Sequence, residues 1–87
     1  MPEITLTIKN KVGLHARPAA LFVREAARFK SAITVRNGEK QANAKSILNI
    51  IALEANPGSV ITVRAEGEDA EAALHALSTL NDTNYGE

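Results

Sequence analysis

A chain of 87 residues with 10 basic and 10 acidic side chains, a formal net charge of zero and no cysteine is long enough for one compact domain with a modest core and too short for two. The neutral balance excludes the electrostatic footprint of a general nucleic-acid binder or an anionic-membrane ligand. The missing thiols exclude disulfides and thiolate metal sites and suit a reducing compartment.

Met1-Pro2-Glu3 has neither the basic start nor the apolar run of a leader, and no stretch approaches the roughly 20 apolar residues of a membrane span. The expectation is a soluble, unprocessed, cytoplasmic protein. Ile4, Leu6 and Ile8 alternate with Thr5, Thr7 and Lys9, the period of two of a half-buried strand. Asn10-Lys11-Val12-Gly13 breaks that pattern. Ala19, Ala20, Phe22, Val23, Ala26, Ala27 and Phe29 then recur at three- and four-residue spacing, predicting an amphipathic helix over residues 16–28. Pro18 suits its first turn, where the backbone N–H has no intrahelical partner.

Ile33 and Val35 sit between polar neighbours, and Asn37-Gly38 is a preferred tight-turn dipeptide. Strands two and three therefore form a hairpin, the third returning over residues 39–43. Ser46 is placed as the N-cap of a short second helix. Pro57 disfavours helical geometry at the residue before it, so that helix should stop near Glu54 or Ala55. A fourth strand over residues 59–66 points Ile61, Val63 and Ala65 one way and Thr62 and Arg64 the other. Glu68 or Asp69 caps a last helix whose stripe is Ala70, Ala73, Leu74, Leu77 and Leu80. The polar tail, residues 81–87, is expected to fray. The order β-α-β-β-α-β-α implies an α+β layer pair, an antiparallel sheet with helices on one face.

His15 stands at the foot of the first helix, with Arg17 two residues on and Gly13, Ala16, Ala19 and Ala20 leaving room beside them. A helix start presents unpaired backbone N–H groups, here those of Ala16 and Arg17, and a partial positive charge, both favourable to a phosphoryl oxygen. Arg17 offers a guanidinium fork to the same group. On the residues alone His15 reads either as a surface or capping histidine, or as a phosphohistidine on a domain that carries the group without driving the chemistry. Ser46 likewise reads as an ordinary cap or as a modification site whose phosphate adds about two negative charges. Ile47, Leu48, Ile50, Ile51, Ala52 and Leu53 are apolar nearly all round the second helix. The expectation assigns Ile50 and Leu53 to the core, and Ile47, Leu48 and Ile51, with Ala20 and Arg24 of the first helix, to partner docking. Arg24, Arg28 and Lys30 form a solvated basic rim, and His75 is structural or solvated. With no Walker loop, zinc spacing or triad signature, no metal and no cofactor are expected.

Gly13-Leu14-His15-Ala16-Arg17-Pro18-Ala19, Lys45-Ser46-Ile47-Leu48 and Ala65-Glu66-Gly67-Glu68-Asp69 together resemble the HPr family, the histidine-containing phosphocarriers of the bacterial phosphoenolpyruvate-dependent sugar phosphotransferase system, over essentially the whole chain. The resemblance implies an open-faced β-sandwich, a four-stranded antiparallel sheet covered by three helices. It implies that His15 accepts a phosphoryl group on Nδ1 from phospho-enzyme I and passes it to IIA components of sugar permeases, with Arg17 balancing the phosphate. It further implies that Ser46 is open to an HPr kinase/phosphorylase, with a catabolite repressor as a further partner, and that the chain is a monomer that binds no nucleic acid and inserts in no membrane. Asn49 and Glu54 stand where regulated members often have glycines, and Val12 and the Asn-rich tail also depart from the family pattern. Nitrogen-branch carriers share the histidine motif and stay open as an alternative. From the enzyme class, the alternative is a small acyl-phosphate hydrolase, which would turn over without a partner. An RNA-binding domain is disfavoured by three aromatics and the lack of net positive charge.

Overall fold

The computed structural model describes residues 2–87; Met1, the first residue of the segment read above as lacking a leader, lies outside them. The chain forms β1 (Glu3–Thr7), α1 (Ala16–Ala27), β2 (Ala32–Asn37), β3 (Lys40–Asn43), α2 (Ile47–Ala52), β4 (Val60–Glu66) and α3 (Ala70–Asp82), followed by a one-turn 3-10 helix over Asn84–Gly86. The strands pair antiparallel in the order β1-β4-β2-β3. This is the α+β open-faced sandwich with β-α-β-β-α-β-α order that the pattern predicts.

Register follows from the alternation of side chains. Val63 lies opposite Ile4 on β1 and Val35 on β2, and Val35 in turn faces Ala42 on β3. One apolar row thus crosses all four strands, and a slip of one residue would turn it to water. Phe22, Ala19 and Ala26 of α1 and Ala73, Leu74 and Leu77 of α3 close over that face, joined by Ile50 and Leu53 from α2 and its end. Burying a side chain of the size of Phe22 or Leu77 contributes roughly 1.5–3 kcal/mol each. Thr62 and Arg64 point to the open face, as their alternation with Ile61, Val63 and Ala65 requires.

Four local features depart from the sequence expectation. Asn37 pairs with Lys40, so the hairpin loop is Gly38-Glu39, with Gly38 at φ 62°, one residue later than the dipeptide signal suggests. The second helix ends at Ala52, before the reach of Pro57, because Glu54 turns to φ 53° and its N–H donates to the Ile51 carbonyl. Asp69 holds the N-cap position of α3 but does not cap it with its side chain. Its carboxylate accepts instead from Lys30 N, Ser31 N and Ser31 Oγ, pinning the α1–β2 turn. These bonds lower the Asp69 carboxyl to about 2, with the Ser31 hydroxyl the largest cause.

The fourth departure is the tail, which does not fray. Tyr85 is buried at 1% exposure, and its hydroxyl donates to Asn81 Oδ1 at 3.1 Å. Asn81 Nδ2 passes the link to the Thr7 carbonyl at 3.0 Å. The Glu87 carboxylate accepts from Lys11 N at 2.8 Å and Asn10 Nδ2 at 3.2 Å. One aromatic ring inserted in the core, and a carboxylate on the 10–13 turn, order a segment whose composition alone reads as loose. Burial also pushes the Tyr85 hydroxyl well above the ordinary tyrosine range.

Candidate functional site

His15 is the N-cap residue of α1, with extended backbone (φ −130°, ψ 160°) and no side-chain capping bond. Its imidazole is therefore not consumed in holding the helix. The next residue, Ala16, sits at φ 50°, a left-handed conformation that non-glycine residues adopt at a cost. Pro18 and Ala19 are buried in this first turn, so the helix start is anchored on the core while Ala16 and Arg17 stay exposed.

The loop after α2 comes from the far side of the sequence to meet it. Leu14 N donates to the Ala55 carbonyl at 2.8 Å, and both residues are fully buried. Gly13, at φ 69°, lies so close that a Cβ there would stand 2.3 Å from the Ala55 carbonyl oxygen and 2.9 Å from Asn56 Cα. This approach brings Asn56 Oδ1 to 3.0 Å from His15 Nε2. Glu54, two residues earlier, forms an ion pair with Lys40. Its carboxyl is held below the usual value first by the Lys40 hydrogen bond and charge, with His15 a lesser contributor.

Arg17 is exposed. Its guanidinium reaches the ordered tail, where a methyl group on Gly86 would stand 3.9 Å from Nη1. Arg17, Ala20 and Arg24 recur at helical spacing along one exposed stripe of α1. Ser46 is the N-cap of α2, its Oγ accepting from Asn49 N at 3.4 Å, while Asn49 Oδ1 accepts from Asn43 N. Ile50 and Leu53 are buried, whereas Ile47 and Ile51 are 38% exposed and Leu48 75%. α2 thus divides as its expected facing requires, and α1 and α2 pack against each other. Arg28 pairs with Glu25 and lies 5.5 Å from the Phe29 ring centroid. His75 is exposed on α3, beside Pro2, Glu3 and Ile4. Among the described residues no cluster of three or more His, Cys, Asp or Glu side chains is arranged to hold a metal, and no helix is long and apolar enough to cross a membrane.

Asn56, Glu54 and the Gly86 end of the tail are the neighbours that sequence reasoning missed. Asn56 lies 41 residues from His15, and its only local signal, a polar residue before Pro57-Gly58, describes a turn. The sheet order that folds residues 54–56 against residues 13–15 was the missing information.

Fold and geometry define a small open-faced α+β domain that presents a histidine at the start of a helix. Residues 2–82 match the family described as PTS HPr component phosphorylation site. The phosphocarrier protein HPr of Mycoplasma capricolum is 45% identical over 84 residues, covering 95% of this chain and 94% of that protein. The phosphocarrier protein NPr of Shewanella violacea is 44% identical over 98% of this chain and 93% of its own length. Among solved structures, HPr from Thermoanaerobacter tengcongensis superimposes with a TM-score of 0.97 at 50% identity, covering 100% of this chain and 98% of that one. The chain belongs to the HPr family.

Proposed function

We propose that these 87 residues act as one HPr domain, a monomer, and that His15 is the residue that carries the phosphoryl group. The chain is a phosphocarrier of the phosphotransferase system. The observation that supports His15 as the acceptor is its place at the N-cap of α1 with no side-chain capping bond. A group attached there meets the positive end of the helix, and Arg17, exposed two residues on, supplies a positive charge. The function needs partners for the chemistry: enzyme I loads His15, and IIA components of sugar permeases unload it.

Ile47, Leu48 and Ile51, with Ala20 and Arg24 across from them on α1, form the docking face for those partners. Their exposure beside a buried Ile50 and Leu53 supports this division of the helix. Ser46 is the regulatory position, open to an HPr kinase/phosphorylase, and its phosphate would set about −1.5 to −2 charges at the edge of that face and offer a mark to a catabolite repressor.

Incubation with labelled phosphoenolpyruvate and enzyme I is expected to give an acid-labile, base-stable label that passes to a sugar-specific IIA component and that His15→Ala abolishes. Label persisting in the variant removes His15 from the role. Loading only from a nitrogen-branch donor, as the NPr relative makes worth including, moves the chain to that branch.

A further inference from the structure

Asn56 is the side chain that reaches His15 from outside the recognised motif, and its position is built, not incidental. Five contacts fix it. Leu14 N donates to the Ala55 carbonyl next to it, and Gly13 packs on the Asn56 Cα. Asn56 N donates to Ser59 Oγ at 3.0 Å, and Ser59 N donates back to the Asn56 carbonyl at 2.9 Å. Gly58 N then ties the turn to the Ile8 carbonyl at 2.7 Å, at the end of β1. The residues immediately before His15 and the turn that carries Asn56 are therefore one unit, and the separation of 3.0 Å between Nε2 and Oδ1 is preorganised.

An amide oxygen only accepts, so Nε2 must bear the proton in this contact, which leaves the Nδ1 lone pair free in the neutral ring. We propose that Asn56 is a positioning residue for phosphoryl transfer, orienting the His15 ring and selecting the tautomer whose Nδ1 is the nucleophile; this rests on His15 being the acceptor. In the step itself, the Nδ1 lone pair forms the new N–P bond. The bond from phosphorus to the donor breaks, and its electron pair returns to the donor's leaving atom. The proton stays on Nε2. Because Nδ1 has given its lone pair to phosphorus, the ring becomes cationic, and the Nε2–H···Oδ1 bond becomes charge-assisted and stronger than in the unloaded protein. An interaction that strengthens as the reaction proceeds favours the transition state over the ground state. Glu54 is close enough for His15 to act on its charge, but the hydrogen bond to Nε2 is made by Asn56, which sets the tautomer.

Two measurements on the full chain test this. In nitrogen-15 NMR of the neutral ring, the wild type is expected to show the Nε2–H tautomer almost alone. Asn56→Ala should bring the two ring-nitrogen shifts measurably closer, and Asn56→Asp, which keeps an acceptor oxygen, should preserve their separation. Identical shifts in the wild type and Asn56→Ala overturn the proposal. The rate of loading from enzyme I should fall about three- to tenfold in Asn56→Ala, the range expected for one hydrogen bond that strengthens in the transition state. An unchanged rate overturns the proposal as well. Amide fingerprint spectra establish that each variant is folded. If the wild type takes no label on His15, the acceptor assignment fails separately, since the tautomer measurement needs no phosphoryl donor.

Discussion

Gly13 and Gly38 both sit at positive φ, 69° and 62°, but only Gly13 is crowded. Replacing each with alanine separates the cost of conformation from the cost of collision. A left-handed alanine is unfavourable by about 1–2 kcal/mol, offset by about 0.4–1 kcal/mol because the unfolded chain is stiffer. Gly38→Ala meets nothing within 4 Å and should therefore lose only about 1 kcal/mol or less. Gly13→Ala puts its methyl 2.3 Å from the Ala55 carbonyl oxygen, a backbone atom already holding Leu14 N. Backbone must shift, which adds about 1–3 kcal/mol of overpacking and brings the expected loss to about 2–4 kcal/mol. Urea unfolding followed by circular dichroism reads both; at the slopes usual for small domains, the Gly13→Ala midpoint should fall by about 1 M or more. Moving the 55–56 backbone also moves Asn56 from His15, so the ring-nitrogen shifts of Gly13→Ala should approach those of Asn56→Ala. Equal midpoints for the two glycine variants would refute the reasoning.

Three further outcomes are expected. Tyr85→Ala should lose about 3–5 kcal/mol, the range for deleting a buried aromatic side chain, measured by the same urea unfolding; a loss under about 1 kcal/mol would mean that the tail is not part of the core. Asp69 has a folded-state carboxyl value of about 2 against an ordinary 3.8, so its contribution to stability is fully present above 3.8 and is lost as pH falls towards 2. Thermal midpoints of wild type and Asp69→Asn should accordingly converge across that acid range, and a gap that stays constant from neutral pH to acid would count against the assignment. Ser46→Asp should weaken enzyme I binding in calorimetry at low salt and show a different salt dependence, because a carboxylate at the edge of an apolar docking face is repelled or desolvated. Unchanged affinity under those conditions would detach Ser46 from the interface.

Period and punctuation carried most of the fold. Alternation at Ile61, Val63 and Ala65 located β4, and three- and four-residue spacing at Ala19, Phe22 and Ala26 located α1, because burial on one face is a local property of the chain. Ser46 was legible as a cap for the same reason, and His15 and Arg17 as a pair because they share one turn. Asn56 and the Lys40–Glu54 pair were not legible, since they depend on which loops the sheet order brings together. Tyr85 was misread for a different reason. A lone aromatic in a polar run has no periodic partner, and its place is set by Asn81 of α3, which takes its hydroxyl and is itself held to Thr7 of β1. Of the two candidate caps, Glu68 and Asp69, it is Asp69 that holds the N-cap position, but with a different task, because its carboxylate is taken by donors on Lys30 and Ser31.

The sheet order has a kinetic consequence. Only β2 and β3 pair as a local hairpin, and β1 has no partner until β4, some sixty residues later, slides between it and β2. Pairings of such long sequence separation close slowly, so the hairpin is expected to form early and the docking of β4 to complete the sheet. That same event ties Gly58 to Ile8 and sets the Asn56 turn beside His15. A fragment that stops short of β4 keeps the histidine motif as sequence and lacks it as a site.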